Sequence, residues 1–334
     1  MTGQRDRAAV DDDAGDPVGE FAPLHEEDAA TVEGTIRGER AGPLAVCGPP
    51  YGGRHDLLER LADAAGATYR RLDPGADAAA VRDALGDGPL VVDDCHHLYE
   101  RRIGGFDDLD AAVRALAATE TPVVAGWNSY AWTYLAHVRD VDRAFAARVE
   151  AAPASASDLA DLLLDRYEDL PTFAADRTAD GIVTTRRVSA TLRGRTVGVS
   201  IPVPNRRVLG PRPEGREVDP TDVVFERLAA VSMGNVGVAT AIWEATRRDE
   251  LRPSDVGPAG DGLDLDRETA FCLRVLLSKE RVARPELDRL VDHATRALAR
   301  LRRADVVTVD EGIVRLAPAA VPTAARETDR RGLQ

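Results

Sequence analysis

The apolar run PLAVCGPP (43–50) leads into Gly48-Pro49-Pro50-Tyr51-Gly52-Gly53-Arg54-His55, and a helical pattern begins directly after it. A glycine, four residues, a glycine and then two polar positions is the frame of a phosphate-binding loop. The glycines Gly48, Gly52 and Gly53 would let backbone N–H groups turn inward, and the helix behind them would present its N-terminus to phosphate oxygens. Such loops place a lysine on the β- and γ-phosphates and a hydroxyl on Mg²⁺. Here the two positions hold Arg54 and His55. Arginine keeps the charge but brings a larger planar fork, and imidazole is a poor ligand for an ion that prefers oxygen. A glycine-rich turn that binds no nucleotide is the competing reading. About forty residues on, Leu90-Val91-Val92-Asp93-Asp94 ends an apolar strand in two carboxylates. One of them could hold the metal's water shell and the other could orient an attacking water. His96 and His97 follow and read as packing or capping residues rather than metal ligands.

Elements of alternating type must position these groups. Short apolar runs at 43–50, 67–73, 89–95 and 121–128 are separated by stretches whose apolar residues recur at three and four. ARVEAA (147–152) supplies a fifth strand. This alternation predicts a parallel α/β sheet. Trp127-Asn128 closes the fourth run, where a polar side chain could touch a γ-phosphate. Trp127, Tyr130, Trp132 and Tyr134 read as core beneath that position, with a stacking surface for adenine or a partner as the alternative. SASDLADLLLDRYEDL (155–170) predicts a helix capped by Ser155 or Ser157. VTTRRVSATLRGRTVGVSIPV (183–203) predicts a β-hairpin turning at Arg193-Gly194. The segment 205–220 is a Pro/Gly/Arg-rich loop, and 221–248 gives two helices broken at Met233-Gly234-Asn235.

Helices over 267–279, 285–293 and 293–305, followed by two strands around Asp310-Glu311-Gly312, have the order of a winged helix-turn-helix. Arg296, Arg300 and Arg303 share one face of its third helix, which in that architecture enters the major groove of double-stranded DNA, and Arg315 on the hairpin could reach the backbone. Asp288, Asp292, Asp305, Asp310 and Glu311 surround them with negative charge, and a protein-interaction module is the alternative.

Composition bounds the classes. The 334 residues are 44% hydrophobic and 30% charged, which excludes wholesale disorder. No run of 18 apolar residues exists, so no membrane insertion is expected. The start MTGQRDRAAVDDDAGD lacks the apolar stretch of a secretory signal, so a cytoplasmic location is expected. The formal net charge is −14, and Lys279 is the single lysine. Acidic excess with scarce lysine resembles the proteomes of extreme halophiles, where acidity solvates the surface and says little about partners. Cys47, Cys95 and Cys272 sit far apart in apolar runs and read as buried thiols.

In their order, the glycine loop, the Asp93-Asp94 strand end, Asn128 in a sensor position, and Arg143 and Arg148 before a helical region resemble the AAA+ ATPases, including the origin-initiator and STAND-type branches. The resemblance covers about 22–250, and a winged helix is a common companion of such members. It implies a P-loop NTPase parallel sheet with a helical lid carrying the hairpin and a C-terminal winged helix. The expected divisions are a disordered acidic tail (1–20), the α/β domain (21–152), the lid (153–250), a linker (251–264), the winged helix (265–320) and a tail (321–334). It implies ATP and Mg²⁺ as cofactors and a homo-oligomer or double-stranded DNA as partner. Gly48, Gly52, Gly53, Arg54 and His55 would cradle the nucleotide, Asp93 would hold Mg²⁺ through water, and Asp94 would orient the attacking water. Asn128 would sense the γ-phosphate, and Arg148 or Arg143 would reach a neighbouring subunit's nucleotide. Two departures stand out: the altered loop, and Gly237 where the lid helix of the family often carries an arginine. Together they imply a nucleotide-controlled switch with weak or absent hydrolysis. A scaffold that no longer binds nucleotide and a plain winged-helix DNA-binding regulator are the rivals.

Overall fold

A computed structural model of the chain describes residues 24–86, 88–176 and 219–333, together with the backbone of 183–192 and 195–204. The acidic tail expected at 1–20, the turn at Arg193-Gly194 and most of the arginine-rich loop at 205–220 lie outside the described residues.

The alternating pattern folds as α1 (Glu26–Ile36), β1 (Leu44–Gly48), α2 (Arg54–Ala65), β2 (Thr68–Arg71), α3 (Ala78–Ala84), β3 (Leu90–Asp93), α4 (Asp107–Ala118), β4 (Val123–Asn128), α5 (Ser129–Arg139) and β5 (Ala147–Glu150). The five strands form one parallel sheet in the order β2-β3-β4-β1-β5, the α/β sheet expected from the alternating pattern. Its central strands are apolar on both faces because helices cover both. Val46, Val91 and Val124 pack on Leu57, Leu58 and Ile36 of the α1/α2 layer, while Ala45, Val92 and Trp127 pack on Leu109, Leu116 and Trp132 of the α4/α5 layer. Trp127 and Trp132 are buried in the core and meet Phe145 edge-to-face, whereas Tyr130 and Tyr134 are half-buried beneath the guanidinium groups of Arg274 and Arg101. β4 lies between β1 and β3, so the carboxyl ends of all three open at the same sheet edge, where ligands of open α/β sheets bind.

A helical subdomain follows: α6 (Ala156–Arg166), β6 (Thr172–Phe173), a hairpin of β7 (Val183–Leu192) and β8 (Arg195–Pro204), α7 (Pro220–Ser232), α8 (Val236–Thr246) and β9 (Glu250–Leu251), which pairs with β6. Ser155 caps α6 in a reciprocal box with Asp158. The C-terminal module comprises α9 (Arg267–Lys279), β10 (Arg281–Ala283), α10 (Arg284–Leu290), α11 (Ala294–Arg303), β11 (Val307–Asp310), β12 (Ile313–Leu316) and α12 (Val321–Asp329). Its sheet has three strands in the order β10-β12-β11.

Two expectations need correction here. The stretch 251–264 reads as a linker from its Pro and Gly content, yet Leu251 and Val256 are buried in one apolar core shared by the helical subdomain and the C-terminal module. The stretch 321–334, expected as a tail, contains α12, whose Val321, Ala324, Ala325 and Thr328 are buried, with the helix packed against α9. Both were obscured because their few apolar residues are small or widely spaced. As a result, the helical subdomain and the C-terminal module share one continuous core, while ion pairs and the half-buried Tyr51 and Tyr130 join the module to the parallel sheet domain.

Candidate functional site

Strand β1 ends in the glycine loop, and the backbone there does what the sequence asks of it. Gly53 has φ +79°, a left-handed conformation that suits glycine, and starts α2 with no side-chain cap. Tyr51 is also left-handed, at φ +62°. The loop's carbonyls are held by the helical subdomain, with Asn235 Nδ2 donating to Pro50 O at 2.7 Å and the Gly237 N–H donating to Tyr51 O at 3.1 Å. Beside the loop lies a cavity of about 220 Å³ lined by Pro49, Gly52, Ala151, Pro153, Asn235 and Val236. A water occupies about 30 Å³ of liquid, so a base-sized group has room there.

Gly237 leaves no room for a side chain where α8 meets the loop. A Cβ at this position would stand 2.5 Å from Tyr51 O. Helix propensity alone would make Gly237→Ala stabilising by about 0.5–1 kcal/mol. The overlap reverses the sign, and we expect a loss of about 1–3 kcal/mol, larger for Gly237→Arg. Thermal denaturation of the two variants reads this directly, and a rise in the melting temperature of Gly237→Ala would refute the close approach.

The predicted loop cation, Arg54, is 2% exposed and does not face open space. Its Nε donates to Asp93 Oδ1 at 2.9 Å and its Nη2 to Asp94 Oδ1 at 2.7 Å. Its Nη1 donates to Gly48 O, Trp127 O and, at 3.1 Å, Glu280 Oε1. The guanidinium therefore ties the two predicted carboxylates to a third that the sequence did not single out. Gly126 on β4 permits this, because a Cβ there would overlap the Asp93 carboxylate.

Asp93, expected to hold Mg²⁺ through water, is saturated. Oδ1 also accepts the Asp94 N–H, and Oδ2 meets His55 Nδ1 and the Tyr69 hydroxyl. Burial opposes its ionisation, yet Arg54 and His55 hold it well below the usual carboxylate range. Asp94, expected to orient water, accepts from Arg54, from Arg71 Nε at 2.8 Å and from Arg281 Nη2 at 2.9 Å. A carboxylate bound by three guanidinium groups is a poor proton acceptor. His55 stands where a hydroxyl would ligate the metal. Burial would lower its pKa, but the Asp93 carboxylate outweighs that and raises it to about 9, so the ring is cationic at neutral pH. This donor set does not fit Mg²⁺, and no hydrolytic step follows from it.

Asn128, the expected γ-phosphate sensor, is fully buried at the end of β4. Its Oδ1 caps α5 by accepting from the Tyr130 and Ala131 N–H groups, and its Nδ2 donates to Leu277 O and Glu280 Oε1, each at 2.9 Å. His96 and His97 are buried on the turn after β3. His96 Nδ1 accepts from the Asn128 N–H, whereas His96 Nε2 and both His97 nitrogens have no hydrogen-bond partner among the described residues. Asp94 with His96 and His97, or with His55 and Glu280, is close enough to share an ion. The three arginines on Asp94 disfavour a second cation there.

Arg148 and Arg143 do not join this cluster. Arg148 lies on edge strand β5 opposite Ala45 and pairs with Glu150, and Arg143 is exposed beside Asp140. Arg296, Arg300 and Arg303 line the outer side of α11, whose inner side buries Ala297, Leu298 and Leu301. Arg300 is partly engaged by Asp264 O and Asp266. Arg315 is separated from that group. It is paired across the sheet with Arg281, whose guanidinium bonds Asp94, so both residues share the face turned to the parallel sheet domain.

Glu280, Arg71, Arg281 and Gly126 escaped the sequence reading, and Asn235 was marked only as part of a helix break. Gly237 was noticed only as a missing arginine. For Arg71, its place at the end of a strand beside Asp93 and Asp94 was an available signal. Glu280 carried none, since it looks like an ordinary acid after a helix.

No protein-family model matches the chain, and no curated protein matches it. Among solved structures it is similar to the RuvB Holliday junction branch migration motor of Thermotoga maritima, at 12% identity over 88% of this chain and 92% of that chain, TM-score 0.36. It is similar to the Orc2 protein of Aeropyrum pernix at 11% identity over 95% and 98%, TM-score 0.38. It is also similar to Cdc6p of Pyrobaculum aerophilum at 12% identity over 96% and 99%, TM-score 0.37.

Proposed function

We propose that the chain is an ATP-binding AAA+/STAND-like switch with weak or absent hydrolysis, whose nucleotide site controls assembly or DNA contact by the C-terminal module. The observation that carries this reading is convergence. Gly48–Gly53, Arg54, Asp93 and Asn128 come from three strand ends and meet at one sheet edge, and a cleft lined by Pro49, Gly52, Asn235 and Val236 lies beside the loop. Hydrolysis is disfavoured because the metal-holding hydroxyl is His55 and Asp94 is held by Arg54, Arg71 and Arg281. For the output we read the module as a winged helix, with Arg296, Arg300 and Arg303 on the outer side of α11 as its DNA-facing group. A salt slope in gel shifts, reduced in the triple alanine variant, tests that part.

The rival is a scaffold that keeps the fold without nucleotide, and the saturation of Arg54 and Asp93 favours it. Calorimetric titration of ATP at low and multimolar KCl, with and without Mg²⁺, separates the two. The switch reading expects micromolar binding, weakened at least tenfold by Gly53→Asp. No heat at millimolar ATP from the folded protein would leave the scaffold.

A further inference from the structure

The cluster at the sheet edge contains a carboxylate from outside the domain that owns the loop. Glu280 follows α9 with φ +57°, a backbone setting uncommon for a residue with a side chain, and this directs its carboxylate across the seam. Oε1 accepts from Arg54 Nη1 at 3.1 Å and from Asn128 Nδ2 at 2.9 Å, and Oε2 lies 3.5 Å from His55 Nε2. Arg54 is the loop cation, His55 follows it, and Asn128 is the polar group at the neighbouring strand end. The sequence assigns Arg54 and Asn128 to a nucleotide's terminal phosphate, and His55 stands at the position of the metal's hydroxyl ligand. An internal anion thus rests on the donors for an external one.

Several further contacts across this seam are polar, although Tyr51 and Tyr130 of the sheet domain also pack against the module's apolar core. Arg281 bonds Asp94 and Leu72 O, the Tyr51 hydroxyl donates to Leu316 O, Arg289 pairs with Glu100 at 2.6 Å, and Lys279 Nζ donates to Tyr99 O. On its other side the module shares an apolar core with the helical subdomain. An ion-paired seam exchanges for water and ligand more easily than a continuous core, because its charged groups regain hydration when they separate.

We infer that Glu280 is a built-in surrogate for a nucleotide's terminal phosphate, so that docking of the C-terminal module and binding of a nucleoside triphosphate exclude each other. The inference rests on the reading that the glycine loop binds nucleotide. Binding ATP then requires Glu280 to leave Arg54 and Asn128, which frees the β10 edge of the module from the sheet. A nucleoside monophosphate, with no terminal phosphate to place on these donors, leaves the module docked.

The chain carries its own reporter. Lys279, the single lysine, is 1% exposed and lies in this seam. Labelling with an amine-reactive ester, followed at Lys279 by mass spectrometry, reads undocking without reference to nucleotide affinity. ATP is expected to raise the Lys279 labelling rate of the full chain at least fivefold, and AMP is expected to leave it unchanged. Glu280→Gln should raise the rate without nucleotide and tighten ATP binding at least tenfold. Arg289→Ala loosens the same seam away from the phosphate donors and should move both readouts in the same direction. It therefore keeps the test open if Glu280→Gln folds poorly, which a circular dichroism melt would reveal. Lys279 labelling that is unchanged while ATP binds the wild type would overturn the latch and leave the nucleotide reading intact. Failure of ATP to bind Glu280→Gln and Arg289→Ala, with Lys279 exposed in both, would overturn the competition by removing the nucleotide reading itself.

Discussion

Arg54→Ala is expected to lower the stability of the protein by about 3–5 kcal/mol, the range for removing one partner from a buried ionic cluster. Arg54 is the shared cation of Asp93, Asp94 and Glu280, and it also satisfies Gly48 O and Trp127 O. Without it Asp93 and Asp94 remain next to each other at no more than 1% exposure, and Arg71, Arg281 and His55 compensate from the rim. Arg54→Lys keeps the charge but loses the planar fork that reaches several acceptors at once, so an intermediate loss is expected. Glu280→Gln combined with Arg54→Ala should cost less than the sum of the two single changes, because each removes a charge the other would leave unpaired. Melting curves of the four proteins test this. A melting temperature for Arg54→Ala equal to that of the wild type would show that the cluster does not carry the seam.

The second large effect is a dependence of stability on pH, with opposing limbs. His55 titrates near 9 in the folded chain against an ordinary value of about 6.5, held up by Asp93 and Glu280 despite its burial. The stabilisation from this raised pKa is complete below about pH 6.5 and is lost as pH rises through about 9. It amounts to about 2–3 kcal/mol once the quarter of the side chain in water is discounted. His96 behaves in the opposite sense, since burial lowers it to about 4 against the pull of Asp94 and Glu280. Its contribution is complete above about pH 6.5 and is lost as pH falls towards 4. The lowered carboxyls of Asp93 and Glu280 extend the acid loss further, below the ordinary carboxylate range of about 4. The melting temperature should therefore peak near pH 6.5 and fall on both sides. In His55→Gln the alkaline fall between about pH 6.5 and 9 should disappear while the acid fall remains. A variant that retains the full alkaline fall would exclude His55 as its source.

Much of the sheet domain is legible in the sequence because its signals are local. Strand runs at 43–50, 89–95 and 121–128 are apolar throughout since both faces are covered, and they fold as β1, β3 and β4. The intervening three-and-four periodicity fixes which sides of α2 and α4 face the sheet. The breaks at Gly53 and at Met233-Gly234-Asn235 follow from backbone conformations and caps that one or two residues specify. The meeting of the glycine loop with Asp93 and Asn128 is likewise foreshadowed by their places at strand ends. α12 and the buried stretch after β9 were not legible, because small residues such as Ala324 and Ala325 give weak periodicity and are buried only once α9 and the module's core are in place.

The sequence by itself determined that this chain builds a parallel α/β sheet with a glycine loop, two carboxylates and an asparagine at its strand ends. It also determined that the loop holds Arg54 and His55 in place of a lysine and a hydroxyl. Only the tertiary structure decided what those groups bind. Arg54 and Glu280 are 226 residues apart, and neither residue's local pattern marks the other. Charge on a side chain is local, but its partner is chosen by which surfaces the cores bring together. The apolar core of the helical subdomain and C-terminal module brings Glu280 to the loop, and the low dielectric of that seam makes pairing obligatory. The same holds for Gly237, a missing arginine in the sequence that becomes, in the fold, the point where a helix backbone rests on Tyr51 O.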